Sequence, residues 1–249
     1  MKVEWDYTAL ADAYLKRPDY AIDAIDQMLN IANITNDANI CDVGAGAAHL
    51  TLILAQKGFK VSAVEPNDAM RANGTKKTME YPNISWFEGV GENTGMPNNT
   101  FDLVTFGSSF NVCDRQLALK ETQRILKPHG WFACMWNHRD LADPTQIAIE
   151  EIIKSNIAGY TYGTRREDQT NIINESNLFG EVHFIEGKVV HKILASDFSE
   201  GWKSHGTLHR QSPDTFNTII KQIDDYISNN CESYIEVPYI TRLWMAQLK

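Results

Sequence analysis

Cys41-Asp42-Val43-Gly44-Ala45-Gly46-Ala47-Ala48-His49-Leu50-Thr51 reads as a short apolar strand closed by an acid, then two glycines bracketing one residue, then a helix start. The glycines let backbone N–H groups approach an anionic ligand group, and the helix that follows adds its positive N-terminal end. An α/β protein holds a nucleotide at such a turn. A dinucleotide fingerprint would continue to a third glycine or an alanine, the small residue that lets helix and strand pack closely. His49 stands at that position. Alone, the segment is equally an ordinary strand-to-helix turn, so its meaning depends on the chain to either side.

Short apolar runs rich in β-branched or aromatic residues recur at 40–43, 61–64, 84–87, 101–106 and 131–136, with helical segments between most of them. The clearest helix is 116–126, where Ala118, Leu119, Thr122, Ile125 and Leu126 share a face and Lys127-Pro128-His129-Gly130 stops it. This alternation implies right-handed βαβ crossovers and a parallel sheet, with ligands beyond the carboxyl ends of the strands. Ahead of the turn, apolar residues at helical spacing predict two helices on either side of Arg17-Pro18. After Arg139 the pattern changes, and 140–180 reads as an insertion or cap. Two more strands are predicted at 181–193 and 234–247 with two helices between them, Pro238 placing the last strand at an edge or bulge. One of those helices, 198–210, would put His205 and His209 on one face, a weak metal signal better read as a pocket wall. The expectation is one α/β domain over 1–249. Its core is a doubly wound, mostly parallel seven-stranded, Rossmann-like sheet with an antiparallel last strand, a helical cover at 1–36 and a small cap.

Composition narrows the function classes. Hydrophobic residues at 43% and charged residues at 22% are globular values. The balance of 23 basic against 32 acidic residues, a net charge of −9, argues against nucleic acid as a partner. Cys41, Cys113, Cys134 and Cys231 are widely spaced and make no zinc pattern, which fits reduced thiols and a cytoplasmic location, with no metal expected. Met1 to Asp12 carry no apolar signal core, and no stretch has the length of a membrane span. The expected partner is a small molecule, the chain itself being a monomer or homodimer.

The second strand ends at Val64-Glu65-Pro66-Asn67, so Glu65 lies 23 residues beyond Asp42 at the tip of the neighbouring strand. A carboxylate there can accept both hydroxyls of a ribose; otherwise it is a solvated loop acid. After the third strand, Glu88-Gly89-Val90-Gly91-Glu92 is a small-residue turn with an acid that can meet an adenine edge. Met70 is a core residue by default and a purine platform by the alternative reading. Asp42, Glu65 and Glu92 would converge on a pocket with no arginine placed for a pyrophosphate, and such a pocket suits a cation. S-adenosylmethionine, a sulfonium without pyrophosphate, fits better than a nicotinamide dinucleotide.

The series Asp42-x-Gly44-x-Gly46, Val64-Glu65-Pro66-Asn67-x-x-Met70-Arg71, Glu88-Gly89-x-Gly91-Glu92-x-Thr94-Gly95-Met96-Pro97, Phe101-Asp102-Leu103-Val104, Arg124-Ile125-Leu126-Lys127-Pro128-x-Gly130 and Trp136-Asn137-x-Arg139 resembles class I S-adenosylmethionine-dependent methyltransferases. The resemblance is nearest to small-molecule members related to trans-aconitate methyltransferase and the UbiE-like group. It implies a cofactor site of Asp42, Gly44, Ala45, Gly46, Glu65 and Pro66, extended by Met70, Gly91, Glu92, Phe106 and Gly107. It also implies that the leading segment covers the cofactor, with Tyr14 and Arg17 near its methionine carboxylate. Read from the residues alone, these two serve packing and surface roles. Two departures stand out: Ala47-Ala48 replaces the usual Thr-Gly, and the loop after the fourth strand reads Gly107-Ser108-Ser109-Phe110-Asn111 where the group often has a His-Trp pair. That loop faces the substrate, so the group's substrates do not carry over.

Methyl transfer from a sulfonium needs positioning more than a catalytic motif, and a base only where the acceptor must lose a proton early. His138, at the carboxyl end of the fifth strand, is the candidate base, and Asn111 the candidate for orienting a polar acceptor; the alternatives are a hydrogen-bonded loop histidine and a turn cap. Tyr160, Tyr162, Arg165 and Arg166 either close over the substrate or form a solvated loop. The expected function is methyl transfer to a small polar metabolite, the alternatives being an NAD-type oxidoreductase and a non-catalytic S-adenosylmethionine-binding protein.

Overall fold

The protein is described by a computed structural model over residues 6–249. The strands are β1 (Asn39–Val43), β2 (Lys60–Val64), β3 (Ile84–Phe87), β4 (Phe101–Gly107), β5 (Leu126–Arg139), β6 (Phe179–Leu194) and β7 (Tyr234–Leu248). They form one sheet in the order β3-β2-β1-β4-β5-β7-β6. Pairing is parallel from β3 across to β5, and β7 runs antiparallel to both of its neighbours. The chain steps outward from β1 to β3 and returns to β4 on the other side of β1, so the glycine turn after β1 sits at the switch point.

The helices are α1 (Ala11–Tyr14), α2 (Ile22–Ile31), α3 (His49–Gln56), α4 (Asp68–Lys77), α5 (Arg115–Ile125), α6 (Pro144–Asn156), α7 (Thr170–Glu175), α8 (Ala195–Trp202), α9 (Gly206–Gln211) and α10 (Phe216–Asn230). Period-two alternation sorts the strand residues between two layers. Ile40, Val61, Leu103 and Ala133 pack with Ile25 of α2 and Leu54 of α3. Cys41, Val104, Phe106 and Phe132 pack on the opposite side with Leu119 of α5 and Ile173 of α7. Beyond the end of β5, the longer β6 and β7 carry a third cluster that joins α6 to α8, α9 and α10 through Ile153, Phe198, Leu208 and Ile223.

Ahead of β1, Tyr7, Tyr14, Lys16, Arg17, Pro18 and Tyr20 line the cavity described below, whereas α2 is buried against the sheet. Residues 140–180 likewise divide. The α6 segment belongs to the third cluster, a 3-10 turn at Gly163–Arg166 reaches the cavity, and α7 joins the core beside α5.

Two expectations are corrected. The predicted helix 198–210 breaks after Trp202, and His205 becomes the cap of α9, its Nδ1 accepting the Leu208 N–H at 3.2 Å. Ser204 turns its hydroxyl back onto the Gly201 carbonyl, competing with helix continuation. His209 instead meets the Phe216 ring at 5.0 Å, so the two histidines share no face. In addition, β7 is interior rather than an edge strand. Pro238 pairs opposite Val190 but lies beyond Arg139, the last residue of β5, so at that point β7 has β6 as its only strand neighbour and the missing N–H breaks no second ladder.

Candidate active site

A cavity lies beyond the carboxyl ends of β1, β2, β4 and β5, where the switch-point argument places a ligand. At the glycine turn, the N–H groups of Gly44 and Ala45 both donate to the Val64 carbonyl, at 2.8 and 3.0 Å. Gly44 has φ +67, and a Cβ there would lie 2.3 Å from the Cβ of Ser109. Gly46 has φ +55, and a Cβ there would lie 3.0 Å from Met70 Cε. The turn is thus a cradle in which backbone, and no side chain, fits against a ligand. Ala48, in place of the usual glycine, also takes a left-handed conformation, φ 67, as it caps α3.

Asp42 is buried on the α3 side of β1. Its carboxylate accepts the hydroxyls of Thr51 at 2.6 Å and Thr105 at 2.9 Å. Burial pushes its pKa up to about 6 against the pull of those two hydroxyls. Glu65 accepts the Gly46 N–H at 2.8 Å and the Asn67 N–H at 2.9 Å, one on each oxygen. Burial raises its pKa too. A carboxylate has about four lone-pair sites, so Glu65 keeps capacity for two ribose hydroxyls while it braces the turn. Pro66 and Met70 line the same end. Across from them, a Cβ on Gly91 would lie 2.4 Å from Cys113 Sγ, and Glu92 accepts the Asp114 N–H at 2.5 Å. Gly107 lets the Tyr20 hydroxyl approach to 3.0 Å of where a Cβ would stand.

Phe106 does not line the cavity. Strand alternation turns it to the α5 side, where its ring packs on Phe110 at 5.4 Å and Phe132 at 5.8 Å. It supports Gly91 from beneath rather than touching a ligand.

The leading segment closes over the turn. Tyr14 and Arg17 both line the cavity, with the Arg17 guanidinium 4.1 Å from the Tyr14 ring centre. Arg17 is held from the other side by Ser204, its Nε donating to the hydroxyl at 2.8 Å and Nη2 to the carbonyl at 2.7 Å. His49 fastens this cover to the start of α3, with Nδ1 2.7 Å from Asp19 Oδ1 and Nε2 donating to the Tyr14 carbonyl at 3.0 Å. The residue that breaks the dinucleotide pattern has a structural task of its own.

At the other end, His138 is buried and its Nε2–H donates to the Arg165 carbonyl at 3.1 Å, leaving Nδ1 without a partner. Burial and then the Arg166 charge press its pKa down to about 3, so the ring is neutral and a weak base as it stands. Asn111 lines the cavity and is oriented by the Trp136 indole N–H, which donates to Oδ1 at 2.8 Å. Arg165 and Arg166 also face the cavity, whereas Tyr162 donates its hydroxyl to Glu150 and lies under Arg166 at 4.0 Å. Sequence reasoning missed Ser204 and Trp202, and named Ser109 only as part of the loop that faces the substrate. Among the described residues, no group of His, Cys, Asp and Glu could hold a metal ion, and no helix is long and apolar enough to cross a membrane.

A doubly wound sheet with a glycine cradle at its switch point and a buried acid at the tip of the next strand is the arrangement in which α/β proteins bind nucleoside cofactors. Residues 41–134, the segment that builds the cradle, Glu65 and the central strands, match the methyltransferase domain family. That segment is therefore similar to methyltransferase domains of the S-adenosylmethionine-dependent class, whose cofactor is S-adenosylmethionine. An uncharacterized methyltransferase of Schizosaccharomyces pombe is 31% identical over 138 residues, 55% of this chain and 54% of that protein. Demethylmenaquinone methyltransferase of Staphylococcus epidermidis is 33% identical over 130 residues, 50% of this chain and 52% of the other. The chain thus spans about half the length of the curated relatives it matches. Fold likeness extends further. Phosphoethanolamine N-methyltransferase 2 of Haemonchus contortus, solved with S-adenosylhomocysteine, superposes with a TM-score of 0.53 at 13% identity, covering 91% of this chain and 52% of that one. The YcgJ protein of Bacillus subtilis gives 0.57 at 16% identity, covering 91% and 98%.

Proposed function

We propose that the protein transfers the methyl group of S-adenosylmethionine to a small polar molecule bound at the His138 end of the cavity, in the cytoplasm, acting as a monomer or homodimer. The observation that carries this reading is the continuity of one cavity from the Gly44-Gly46 cradle and Glu65 to Asn111, His138 and the arginines of the 3-10 turn. When bound, S-adenosylmethionine supplies an activated methyl group: a lone pair of the acceptor bonds to the methyl carbon as the carbon–sulfur bond breaks, leaving S-adenosylhomocysteine. Glu65 and the cradle fix the nucleoside, and the acidic lining suits a cationic ligand. Tyr14, Arg17 and Tyr20 cover the site and exclude water, so positioning supplies most of what the protein adds. Asn111, held by Trp136, orients the acceptor, and His138 offers a neutral lone pair. Buried free thiols at Cys41 and Cys134 agree with a reducing compartment.

The test is incubation with methyl-labelled S-adenosylmethionine and a metabolite extract. Label should move into a small-molecule product. Label that never leaves the cofactor, in a protein that binds S-adenosylhomocysteine, would reduce it to a cofactor-binding protein.

A further inference from the structure

The end of the cavity away from the glycine cradle holds a chain of contacting side chains. His138 donates to the Arg165 carbonyl, Arg165 Nη2 lies 3.3 Å from His205 Nε2, the His205 ring stacks on Trp202 at 5.3 Å, and the Arg139 guanidinium lies 4.8 Å from the Trp202 ring. All five line the cavity. Four of their buried nitrogens have no hydrogen-bond partner: Arg139 Nη1, Arg165 Nε, Trp202 Nε1 and His138 Nδ1. Arg139, Trp202 and His138 are almost fully buried, with relative exposures of 7%, 5% and 4%, and Arg165 is half-buried with its Nε enclosed. An unpartnered buried polar atom costs about 1–3 kcal/mol, so four in one contiguous cluster call for a ligand that satisfies them together.

Their chemistry says which ligand. Three of the four are donors on cationic or indole groups. A fourth donor is also in excess: His205 faces the Leu208 N–H at Nδ1 and the Arg165 guanidinium at Nε2, while a neutral imidazole has one lone pair for the two. Among the described residues, the carboxylate beside Arg139, Arg165 and Arg166 is Glu150, whose Oε2 accepts from Arg139 Nη2 at 2.6 Å while its Oε1 also pairs with Lys154 at 3.3 Å. Burial first, and then the charges of Arg17, Arg139 and Arg166 against the pull of Tyr160, draw the pKa of Arg165 down to about 10. The remaining orphan, His138 Nδ1, is an acceptor, because the proton of that neutral ring sits on Nε2.

Resting on the methyl-transfer reading for what fills the other end, we propose that this cluster is a carboxylate subsite for the methyl acceptor. Arg139, Arg165 and Trp202 receive the carboxylate, and His138 accepts a hydrogen bond from a hydroxyl or amine of the same molecule. The acceptor is thereby a small hydroxy- or amino-carboxylic acid. A bound carboxylate offsets the arginine charge around His138 and raises its basicity, so the molecule to be methylated helps to prepare the group that receives its proton.

The experiment is calorimetry on the S-adenosylhomocysteine-loaded protein with lactate, malate, 3-hydroxybenzoate and alanine, each beside its amide. At least one acid should bind, and its amide at least tenfold more weakly. Arg165→Gln should weaken the acid tenfold or more and leave S-adenosylhomocysteine affinity within twofold of wild type. His138→Phe should weaken the hydroxy acid while leaving the parent acid without its hydroxyl unaffected, a split that a merely structural histidine would not produce. Equal binding of acid and amide, an unchanged affinity in Arg165→Gln, or failure of every acid to bind overturns the subsite. Failure of S-adenosylhomocysteine itself to bind is read separately, and it overturns the methyl-transfer reading instead.

Discussion

The two ends of the cavity solve the problem of buried polarity in opposite ways. At the glycine turn, Asp42 and Glu65 are buried carboxylates with both oxygens engaged by hydroxyls or backbone N–H groups. At the His138 end, three arginines face one carboxylate, and the cavity's unpartnered buried nitrogens are all found there among the described residues. The first end is finished before its ligand arrives, which is what preorganised binding of a constant cofactor requires. On the proposed carboxylate subsite, the second is completed by its ligand, and its shape and charge would carry the specificity for the variable partner.

That contrast breaks most severely at Glu150. Its carboxylate holds Arg139 at 2.6 Å and accepts the Tyr162 hydroxyl. Burial pushes its pKa up, but Tyr162 and Arg139 together outweigh it and hold it below the ordinary value. Glu150→Gln leaves Arg139 as an uncompensated buried charge, and denaturant unfolding should show a loss of about 3–5 kcal/mol. A loss under about 1 kcal/mol would mean that the acceptor end does not need this counter-charge.

At the finished end the largest effect is on pH dependence. Asp42 has its pKa raised from 3.8 to about 6 in the folded state. Between those values the folded protein keeps a proton that the unfolded chain releases, so this group's contribution to stability falls as pH rises from 4 to 6 and levels off above. The full difference is about 3 kcal/mol. Asp42→Asn should remove that slope, so the variant's stability relative to wild type rises across the same window in chemical-denaturation series. Parallel curves would show that the two threonine hydroxyls cancel the cost of burial.

Glu65→Ala tests the cofactor end by binding rather than folding. Loss of the charge-assisted hydrogen bonds should weaken S-adenosylhomocysteine by about 1–3 kcal/mol in calorimetry, and should leave acid binding at the Arg165 end intact. Equal weakening of both ligands would mean that the two ends are not independent.

The finished end was legible in the sequence because its parts are local: glycines at fixed offsets from strand ends, and an acid at the tip of the next strand. Gly44, Gly46 and Glu65 are brought together by parallel register alone, as the alignment of Val43 with Val64 shows. Phe106 was misplaced because proximity in sequence to Gly107 says nothing about which face a strand residue takes. The acceptor end was nearly illegible because its members come from β5, the 3-10 turn, α8 and the cap of α9, which only tertiary packing brings together. Arg139 and Trp202 are 63 positions apart and carry no shared motif. The helix predicted over 198–210 hid His205 for the same reason: its cap role depends on a break made by Ser204, not on periodicity.

The smallest effect sharpens the comparison inside the turn itself. Gly44 and Ala48 both have φ 67, yet a methyl is excluded at the first by Ser109 and is present at the second. For Ala48→Gly, three terms oppose one another. Release of the left-handed strain favours the variant by about 1–2 kcal/mol. The greater freedom of glycine in the unfolded chain costs about 0.5–1 kcal/mol, and loss of a fully buried methyl costs about 0.8 kcal/mol. They nearly cancel, so unfolding should place the variant within about 0.5 kcal/mol of wild type, with S-adenosylhomocysteine affinity unchanged because Gly44, Gly46 and Glu65 are untouched. A stabilisation well above that would show the alanine to be a strained substitute kept for another reason, and a clear loss would show that its methyl, packed under the first turn of α3, is part of what holds the cradle in place.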